Sequence, residues 1–494
     1  MAQDMLHLGF PLWLRISHYL NIFLIFLLVR SGIQILLDFP RYYFNEHCTP
    51  GSEWIKFTRR KVPTDRLWTS TDEALPVSPW IGLPGGRHSL GIGRHWHFFS
   101  VILWVTNGVV YVALLFLTGN WQRLLPTSWT IFPAAWRTFR TYASFHIPPL
   151  SEFHPYDPLQ QLTYAAIVFI LAPLVIVTGL AMSPAIAGRF PWYPRLFRGR
   201  QTARSLHFIF LVAFLVFIIG HVALVMIVHF YSNIDNMVFG REHYFERLAV
   251  GIAVLALALV VVAHAIITRW SNRAPRAVQR FTGVLNNLII GLFLSPLQSR
   301  QAYRKNQISP YFWVNGVPPS VDEWLKLSQG NFVNYSLEVK GLVEQPIHLT
   351  LDDLRALSGA SQITEHCCIQ GWSGIAEWTG VPLREILKQC RPLPDARYVI
   401  FYSYQTDEEG HIYYDSLTLA EAQYAQTILA YAMNGEPLSV THGAPLRLRM
   451  ETQLGFKMVK WIRAIEVVQN YWGIGEGQGG YREDVQFYAP GAQI

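Results

Sequence analysis

The chain has 494 residues, of which 51% are hydrophobic and 15% charged. Soluble domains carry about 25% charged residues, so a wholly soluble protein and a long disordered chain are both excluded. The net charge of +7 reads, at this hydrophobicity, as membrane topology and lipid contact rather than nucleic-acid binding. Four cysteines are too few for a disulfide-built scaffold.

In chain order, five apolar stretches reach the roughly 20 residues that a hydrocarbon core requires. They are 11–37, 96–118, 160–183, 205–230 and 246–268. The first is too long for a cleavable signal and lacks a small-residue cleavage site, and no twin-arginine motif precedes it. Long connections, 38–95 and 119–159, follow the first and second spans. In the latter, Trp129, Ile131, Phe132, Ala135, Trp136, Phe139 and Tyr142, with Arg137 and Arg140, have the spacing of a helix lying in the membrane interface; a plain structural cap is the alternative. A sixth stretch, 281–297, is broken by Asn286, Asn287 and Pro296 and reads as a short interfacial helix, with a re-entrant segment as the alternative.

Beyond about residue 300 the pattern changes to polar turns, short β-patterned runs such as Tyr335–Val339 and Tyr398–Tyr402, and amphipathic helices at Leu351–Leu357 and Leu383–Lys388. The fold class is therefore a multi-domain membrane protein. An all-α transmembrane bundle of five spans occupies 1–275, an interfacial linker 276–307, and a soluble α+β domain 308–494.

An ionisable side chain inside a span is costly and points to function, and histidine is a haem ligand. His207 and His221 are 14 residues apart in the fourth span. They project within about 40° of each other, about 21 Å apart along the axis, as two stacked haems require. Alternating topology puts His97 near the depth of His207, and His18 near that of His221. His95 is the rival of His97, about 200° away on the helix. His97 is preferred because it lies deeper and follows Arg94 in an Arg-x-x-His pattern that Arg204-x-x-His207 repeats. Arg94 and Arg204 are then candidate partners of haem propionates. The third span has no histidine and reads as packing; His229 and His264 read as interfacial.

Spans one to four, with His18, Arg94-x-x-His97, Arg204-Ser205-Leu206-His207 and His221, resemble the di-haem cytochrome b subunits of membrane formate dehydrogenases and Ni/Fe hydrogenases. The resemblance implies two b haems and electron exchange between a quinone and a redox enzyme. The fifth span and the long connections depart from that four-helix pattern and leave the quinone site undefined.

The soluble half contains Glu365-His366-Cys367-Cys368-Ile369-Gln370-Gly371-Trp372-Ser373, then Trp378-Thr379-Gly380-Val381-Pro382-Leu383. A buried pair of small hydrophobes or a vicinal disulfide would be structural alternatives. Zinc is unsuited, because no second Cys/His cluster stands at ligand spacing. The whole stretch resembles the molybdenum-cysteine motif of the sulfite-oxidase superfamily, in the form found in methionine-sulfoxide-reductase catalytic subunits, with Gln370 in place of the usual Glu. The register implies that Cys368, not Cys367, is the metal ligand and catalytic residue. Leu429–Leu438, His442-Gly443-Ala444-Pro445-Leu446-Arg447 and Gly455-Phe456-Lys457 with Lys460-Trp461 extend the resemblance over roughly 308–475, with a looser match around Asn315. It implies a molybdopterin held by Asn315, His442, Arg447, Gly455, Lys457 and Lys460, with Arg447, Lys457 and Lys460 on its phosphate; a solvated basic face is the alternative for these three. Trp372 and Ser373 stand where sulfite oxidases carry an arginine near the metal, which weakens sulfite as substrate.

Together these features predict a membrane-bound molybdenum oxidoreductase linking the quinone pool, two b haems and a Mo-pterin centre. The reaction is oxygen-atom transfer on a small S- or N-oxide or oxyanion. The alternatives are a haem-only electron-transfer subunit, with an inactive Mo domain or serving a separate partner enzyme, and a transmembrane ferric or cupric reductase. A homodimer is left open. Arg189, Arg195, Arg198, Arg200 and Arg204, and Arg269, Arg273, Arg276 and Arg280, fall on the Mo-domain side. Arg123, Arg137, Arg140, Arg241 and Arg247 fall on the other. This bias predicts a bacterial-type inner-membrane protein with the Mo domain cytoplasmic. The resemblance to formate dehydrogenase cytochromes implies the opposite, periplasmic placement.

Overall fold

The computed structural model describes residues 9–144, 146, 156–241, 245–294 and 297–489, those of 289–293 in backbone only. Five helices are long and apolar enough to cross a membrane: Leu12–Asp38, Leu90–Leu117, Pro158–Ala181, Arg200–Ile227 and Glu246–Arg273. The third begins at a sequence-coded cap. Asp157 accepts from the amides of Leu159 and Gln160, both at 2.9 Å, and Pro158 occupies the first turn, where its missing N–H costs nothing. Val216, Ile219, Leu255 and Val261 are exposed on the fourth and fifth helices, as suits lipid as the solvent.

The chain forms two compact units, each assembled from separate stretches. The first comprises Met1–Arg30, Trp96–Thr178 and Leu206–Trp270; the second comprises Ser31–His95, Gly179–Ser205 and Ser271–Ile494.

In the first unit the connection after the second span forms the amphipathic helix Ile131–Ala143, with Phe132, Trp136 and Phe139 exposed on it. In the second unit a helix runs Pro275–Phe293, starting earlier than the apolar pattern indicates. Its buried face is largely polar (Gln279, Thr282, Asn286), whereas Phe281, Val284 and Leu288 are exposed. An apolar face left open is what an interfacial helix presents to lipid. Pro296 lies outside the described residues.

The soluble part of the second unit is built on two five-stranded sheets. Its strands are β1 (Ser336–Gly341), β2 (Ile347–Thr350), β3 (Ala360–Cys367), β4 (Ser373–Pro382), β5 (Tyr398–Thr406), β6 (Ile412–Thr418), β7 (Ile428–Met433), β8 (Glu436–Pro437), β9 (Arg447–Arg449) and β10 (Ile462–Val468). One sheet has the order β2-β1-β10-β5-β6, with β10 parallel to β1 and the other pairs antiparallel. The other has the order β8-β7-β4-β3, with β9 also pairing β7. Alternation sorts the side chains: in β1, Leu337 and Val339 are buried, whereas Ser336, Glu338 and Lys340 are not. Leu337 and Val339 join Val399, Phe401, Leu429, Leu448 and Ile465 in the main core.

The connection after the first span is organised by Arg41. It pairs with Glu73 at 2.8 Å and with Glu53, and donates to the carbonyl of Arg60 at 2.7 Å. At the start of the fourth span, Arg204 donates to the carbonyls of Arg41 and Phe39 at 2.6 and 2.7 Å and lies 4.2 Å over the Tyr42 ring. These two carbonyls are buried, and an unsatisfied buried acceptor costs about 1–3 kcal/mol. Arg204→Gln should therefore destabilise the second unit by roughly 2 kcal/mol or more. Thermal unfolding in detergent should show a lowered Tm at unchanged haem content; lost haem at an unchanged Tm would return Arg204 to the propionate role.

Candidate functional site

Antiparallel β3 and β4 pair up to Cys367 opposite Ser373, so residues 368–372 form the tip of a hairpin. The tip is closed by the Cys368 amide on the Trp372 carbonyl at 3.0 Å and the Gly371 amide on the Cys368 carbonyl at 3.1 Å. Gly371 has φ +117°, a backbone conformation that favours glycine, and a Cβ there would crowd Nε of Arg204 at 3.0 Å. Arg200 Nη1 and Gln201 Nε2 each donate to the Gly371 carbonyl at 3.0 Å, and Gln201 also donates to Ser373 Oγ at 2.9 Å.

The two adjacent cysteines have different surroundings. All four cysteines are free thiols, which removes the vicinal disulfide. Asn315 Nδ2 donates to Cys368 Sγ at 3.4 Å. Two residues of the first long connection brace this arrangement. Thr71 bonds Asn315 Oδ1 at 3.2 Å, and Ser70 Oγ donates to Gln370 Oε1 at 2.5 Å, while Gln370 Nε2 returns to the Ser70 carbonyl at 3.1 Å. Burial pushes the Cys368 thiol up, opposed by the Gln370 amide, the Arg482 charge and the Asn315 bond. Burial pushes Cys367 up as well, reinforced by Glu365, Glu451 and Glu46 and opposed by Arg200. The two thiols thus differ in their neighbours: Cys368 has hydrogen bonds from Asn315 and the Gln370 amide, Cys367 has carboxylates nearby.

In front of Asn315 lies a cavity of about 240 Å³, lined in part by Asn315, His442, Arg447, Gly455 and Lys460. Gly455 is needed for space: a Cβ would fall 2.3 Å from His366 Nε2. Arg447 donates to the His442 carbonyl at 2.9 Å and lies 4.7 Å over Trp378, while its buried Nε has no partner. Lys460 donates to the carbonyls of Asn315 and Thr441 at 2.5 and 2.9 Å. Among the described residues neither cation has a carboxylate within ion-pair distance. Burial and the neighbouring Arg447 and Arg482 hold Lys460 well below the ordinary lysine range, and burial and Arg447 bring His442 down to about 4. A buried cation without a counter-charge is costly, and an anionic phosphate would relieve both. The residues thus fit a molybdopterin, with Cys368 at the metal end and Arg447 and Lys460 for the phosphate. Lys457 stands apart from them. Its ammonium is neutralised by Asp415 and by Glu483 at 2.8 Å, which sets it against the phosphate role read for it in the sequence.

In the first unit the structure brings His18 and His221 together, with ring centroids 6.2 Å apart. That gap admits a metal bonded to each ring at about 2 Å. His221 Nδ1 is 3.2 Å from the Tyr164 hydroxyl. His207 Nδ1 is 3.1 Å from the Val175 carbonyl and 3.2 Å from Thr178 Oγ1. Holding Nδ1 leaves Nε2 for a metal and sets ring orientation. Tyr164, Val175 and Thr178 all belong to the third span, which sequence reasoning treated as packing only. His97 and His207 belong to the first unit, whereas His95 belongs to the second, where Thr282 holds its Nδ1 at 3.0 Å. Arg94 and Arg204 also lie in the second unit, and Arg204 is engaged by the carbonyls of Phe39 and Arg41. His264 bonds Arg30 at 3.1 Å.

Sequence reasoning missed Ser70, Thr71, His366 and Arg482. The first two sit in a connection without motif, and Arg482 lies past the last matched segment. His366 adjoins the cysteines and could have been flagged. Its ring packs, tilted, 5.2 Å from that of Trp372 and meets Arg449 at 2.8 Å.

The spans and the sheet domain together define a membrane cytochrome b fused to a molybdopterin oxidoreductase domain. Prokaryotic cytochrome b561 matches residues 9–240, and the oxidoreductase molybdopterin binding domain matches residues 325–472. The putative protein-methionine-sulfoxide reductase subunit YedZ1 of Azospira oryzae is 36% identical over 208 residues, 42% of this chain and 72% of that relative. The chain belongs to this family. The protein-methionine-sulfoxide reductase catalytic subunit MsrP of Xanthomonas campestris is 35% identical over 162 residues, 31% of this chain. The alignment spans 49% of that relative's length. The solved sulfane dehydrogenase SoxCD of Paracoccus pantotrophus aligns at 23% identity and a TM-score of 0.26, covering 31% of this chain and 40% of that one.

If the histidine pairs are ligands, pyridine haemochrome analysis should find two haems in the pure protein. His97→Ala or His207→Ala should remove one of them, and His95→Ala neither; a single haem in the parent, or unchanged content in both variants, contradicts the pairing. Cys368→Ser should abolish turnover and alter the molybdenum electron-paramagnetic signal, while Cys367→Ser keeps both. The reverse pattern would move the ligand by one residue.

Proposed function

We propose that the chain passes electrons between the quinone pool, two b haems and a Mo-pterin centre at which oxygen is transferred to or from a small S- or N-oxide or oxyanion. The observation that carries this reading is the conjunction, in one polypeptide, of closely paired intramembrane histidines and a cationic cavity beside a hydrogen-bonded cysteine. His18 with His221, and His97 with His207, hold the haems. Cys368 ligates the metal, Asn315 donates to its sulfur, and Arg447 and Lys460 hold the pterin phosphate with His442 and Gly455 alongside. When bound, the molybdenum supplies two-electron oxygen-atom chemistry. With haems and molybdenum bound, the pairs His18–His221 and His97–His207 and the residue Cys368 would hold the relay centres for electrons exchanged with the quinone pool, in either direction. The printed names of the relatives make a sulfoxide one member of the substrate class.

Pre-reduced full-length protein, mixed anaerobically with a panel of S-oxides, N-oxides and oxyanions, should show haem reoxidation by at least one of them, lost in Cys368→Ser. Reoxidation that survives this substitution would make the haems a separate electron outlet. For topology we propose a cytoplasmic Mo domain, from the arginine bias of the connections. A C-terminal alkaline-phosphatase fusion should be silent and a fluorescent-protein fusion at the same site bright; the opposite result would place the domain in the periplasm.

A further inference from the structure

The connection 182–199 leaves the third span at Ala181 and enters the fourth at Arg200, so both its ends stand at the membrane surface. It folds into two short helical turns, Pro184–Arg189 and Trp192–Arg195. These turns are stapled to the segment 297–305, which follows the fifth span and belongs to the same compact unit. Arg189 Nε donates to the Leu297 carbonyl at 2.7 Å, and the Gly188 carbonyl accepts from the Arg300 amide at 2.8 Å and from Ser299 Oγ at 3.3 Å. Arg195 Nη2 donates to the Ala302 carbonyl at 3.1 Å, with its guanidinium 6.0 Å over the Tyr303 ring.

The surface so formed is one-sided in charge. Neither segment contains an Asp or a Glu. Arg195, Arg198, Arg300, Arg304 and Lys305 are all exposed on it. Among the described residues none of the five has a carboxylate within ion-pair distance. The carboxylates nearest in the fold are held by other groups. Glu46 accepts from the Arg200 amide at 3.3 Å, Glu365 from the Tyr303 hydroxyl at 3.2 Å and Glu421 from the Thr418 amide at 3.0 Å. Large apolar side chains stand among the cations: Trp192 and Leu196, one turn apart, are 59% and 69% exposed, and Phe190 and Leu297 are exposed as well.

In water this surface carries two costs, repulsion among like charges and apolar area left uncovered. A soluble anion would relieve the first only, and a neutral lipid the second only. An anionic amphiphile relieves both, with its phosphate on the guanidinium groups and its chains around Trp192 and Leu196. We propose that residues 190–198 and 297–305 form a docking surface for the anionic phospholipid headgroups of the leaflet next to the Mo domain. The inference needs only the spans and not the molybdenum. It has a consequence for the cysteine hairpin, because the same connection runs on into Arg200 and Gln201, which hold the Gly371 carbonyl. A headgroup bound at 190–198 therefore braces the segment that pins the tip bearing Cys368.

The test uses the full-length protein in phosphatidylcholine nanodiscs and bromine-labelled phosphatidylglycerol as the probe. Tryptophan fluorescence should be quenched saturably as the labelled phosphatidylglycerol is added, and far less by bromine-labelled phosphatidylcholine at the same fraction. Trp192→Phe should remove the saturable part. Arg195→Gln with Arg198→Gln should raise the half-saturating fraction about tenfold or more, since a cation at a charged leaflet contributes roughly fivefold. Arg198→Gln with Arg304→Gln, which keeps the Arg195 bond to Ala302, should do the same, with Tm and haem absorbance at the parent values. Equal quenching by the two lipids, or a half-saturating fraction unmoved in both double variants, would leave a non-selective apolar surface and overturn the proposal. Displacement of the phosphatidylglycerol response by inorganic phosphate would make this a free-anion site and overturn it equally.

Discussion

Arg447 is a buried and Lys460 a half-buried cation, and their fixed oxygen partners are backbone carbonyls, those of His442, Asn315 and Thr441. Dipoles offset only part of the desolvation of a full charge, so the cavity is built for an anion. Much of the local architecture serves that arrangement. Gly443, at φ +115°, takes a backbone conformation that favours glycine, and a Cβ there would press on Lys460, 3.1 Å from both its Cβ and Cγ. The hairpin tip bearing Cys368 is pinned from the opposite direction by Arg200 and Gln201, while Ser70 and Thr71 fix the amides of Gln370 and Asn315. Hydrogen bonds to a metal-binding thiolate tune its donor strength. The connection after the first span, with no motif of its own, thereby helps to fix the cysteine's hydrogen-bonding neighbours.

The same cost operates in lipid. A neutral imidazole in a span must satisfy its N–H internally. Here the third span offers Tyr164 to His221, and Val175 and Thr178 to His207. Each partner takes Nδ1, so both rings offer Nε2 to the same kind of ligand. The third span thus orients both histidines of the fourth.

Features set by repeating patterns were legible in the sequence. The five spans follow from uninterrupted apolar runs, and strands such as Ser336–Gly341 from alternation. His18 with His221 followed from helical arithmetic combined with alternating topology. Motif-borne residues, Asn315, His442, Arg447, Gly455 and Lys460, lie along one cavity. Lys457 could not be told from them, because its neutralising partners, Asp415 and Glu483, are 42 residues before and 26 after it. For Arg204, one-turn spacing from His207 suggested a haem contact, and the carbonyls that engage its guanidinium, more than 160 residues earlier, carry no signal in the sequence. Arg482 was invisible, since a lone arginine in a polar tail acquires meaning only when the fold turns it into a cavity.

The central claim is that one chain carries electrons from the membrane to the cysteine-bound metal. It is tested most directly by adding a short-chain quinol anaerobically to the oxidised full-length protein. Haem absorbance and the molybdenum electron-paramagnetic signal are then followed together in the parent and in His221→Ala. The account predicts that the parent reduces its haems and then its molybdenum, and that His221→Ala retains molybdenum but does not reduce it with quinol. A molybdenum signal that forms equally in both proteins, or haems that reduce while the metal never responds, would contradict it.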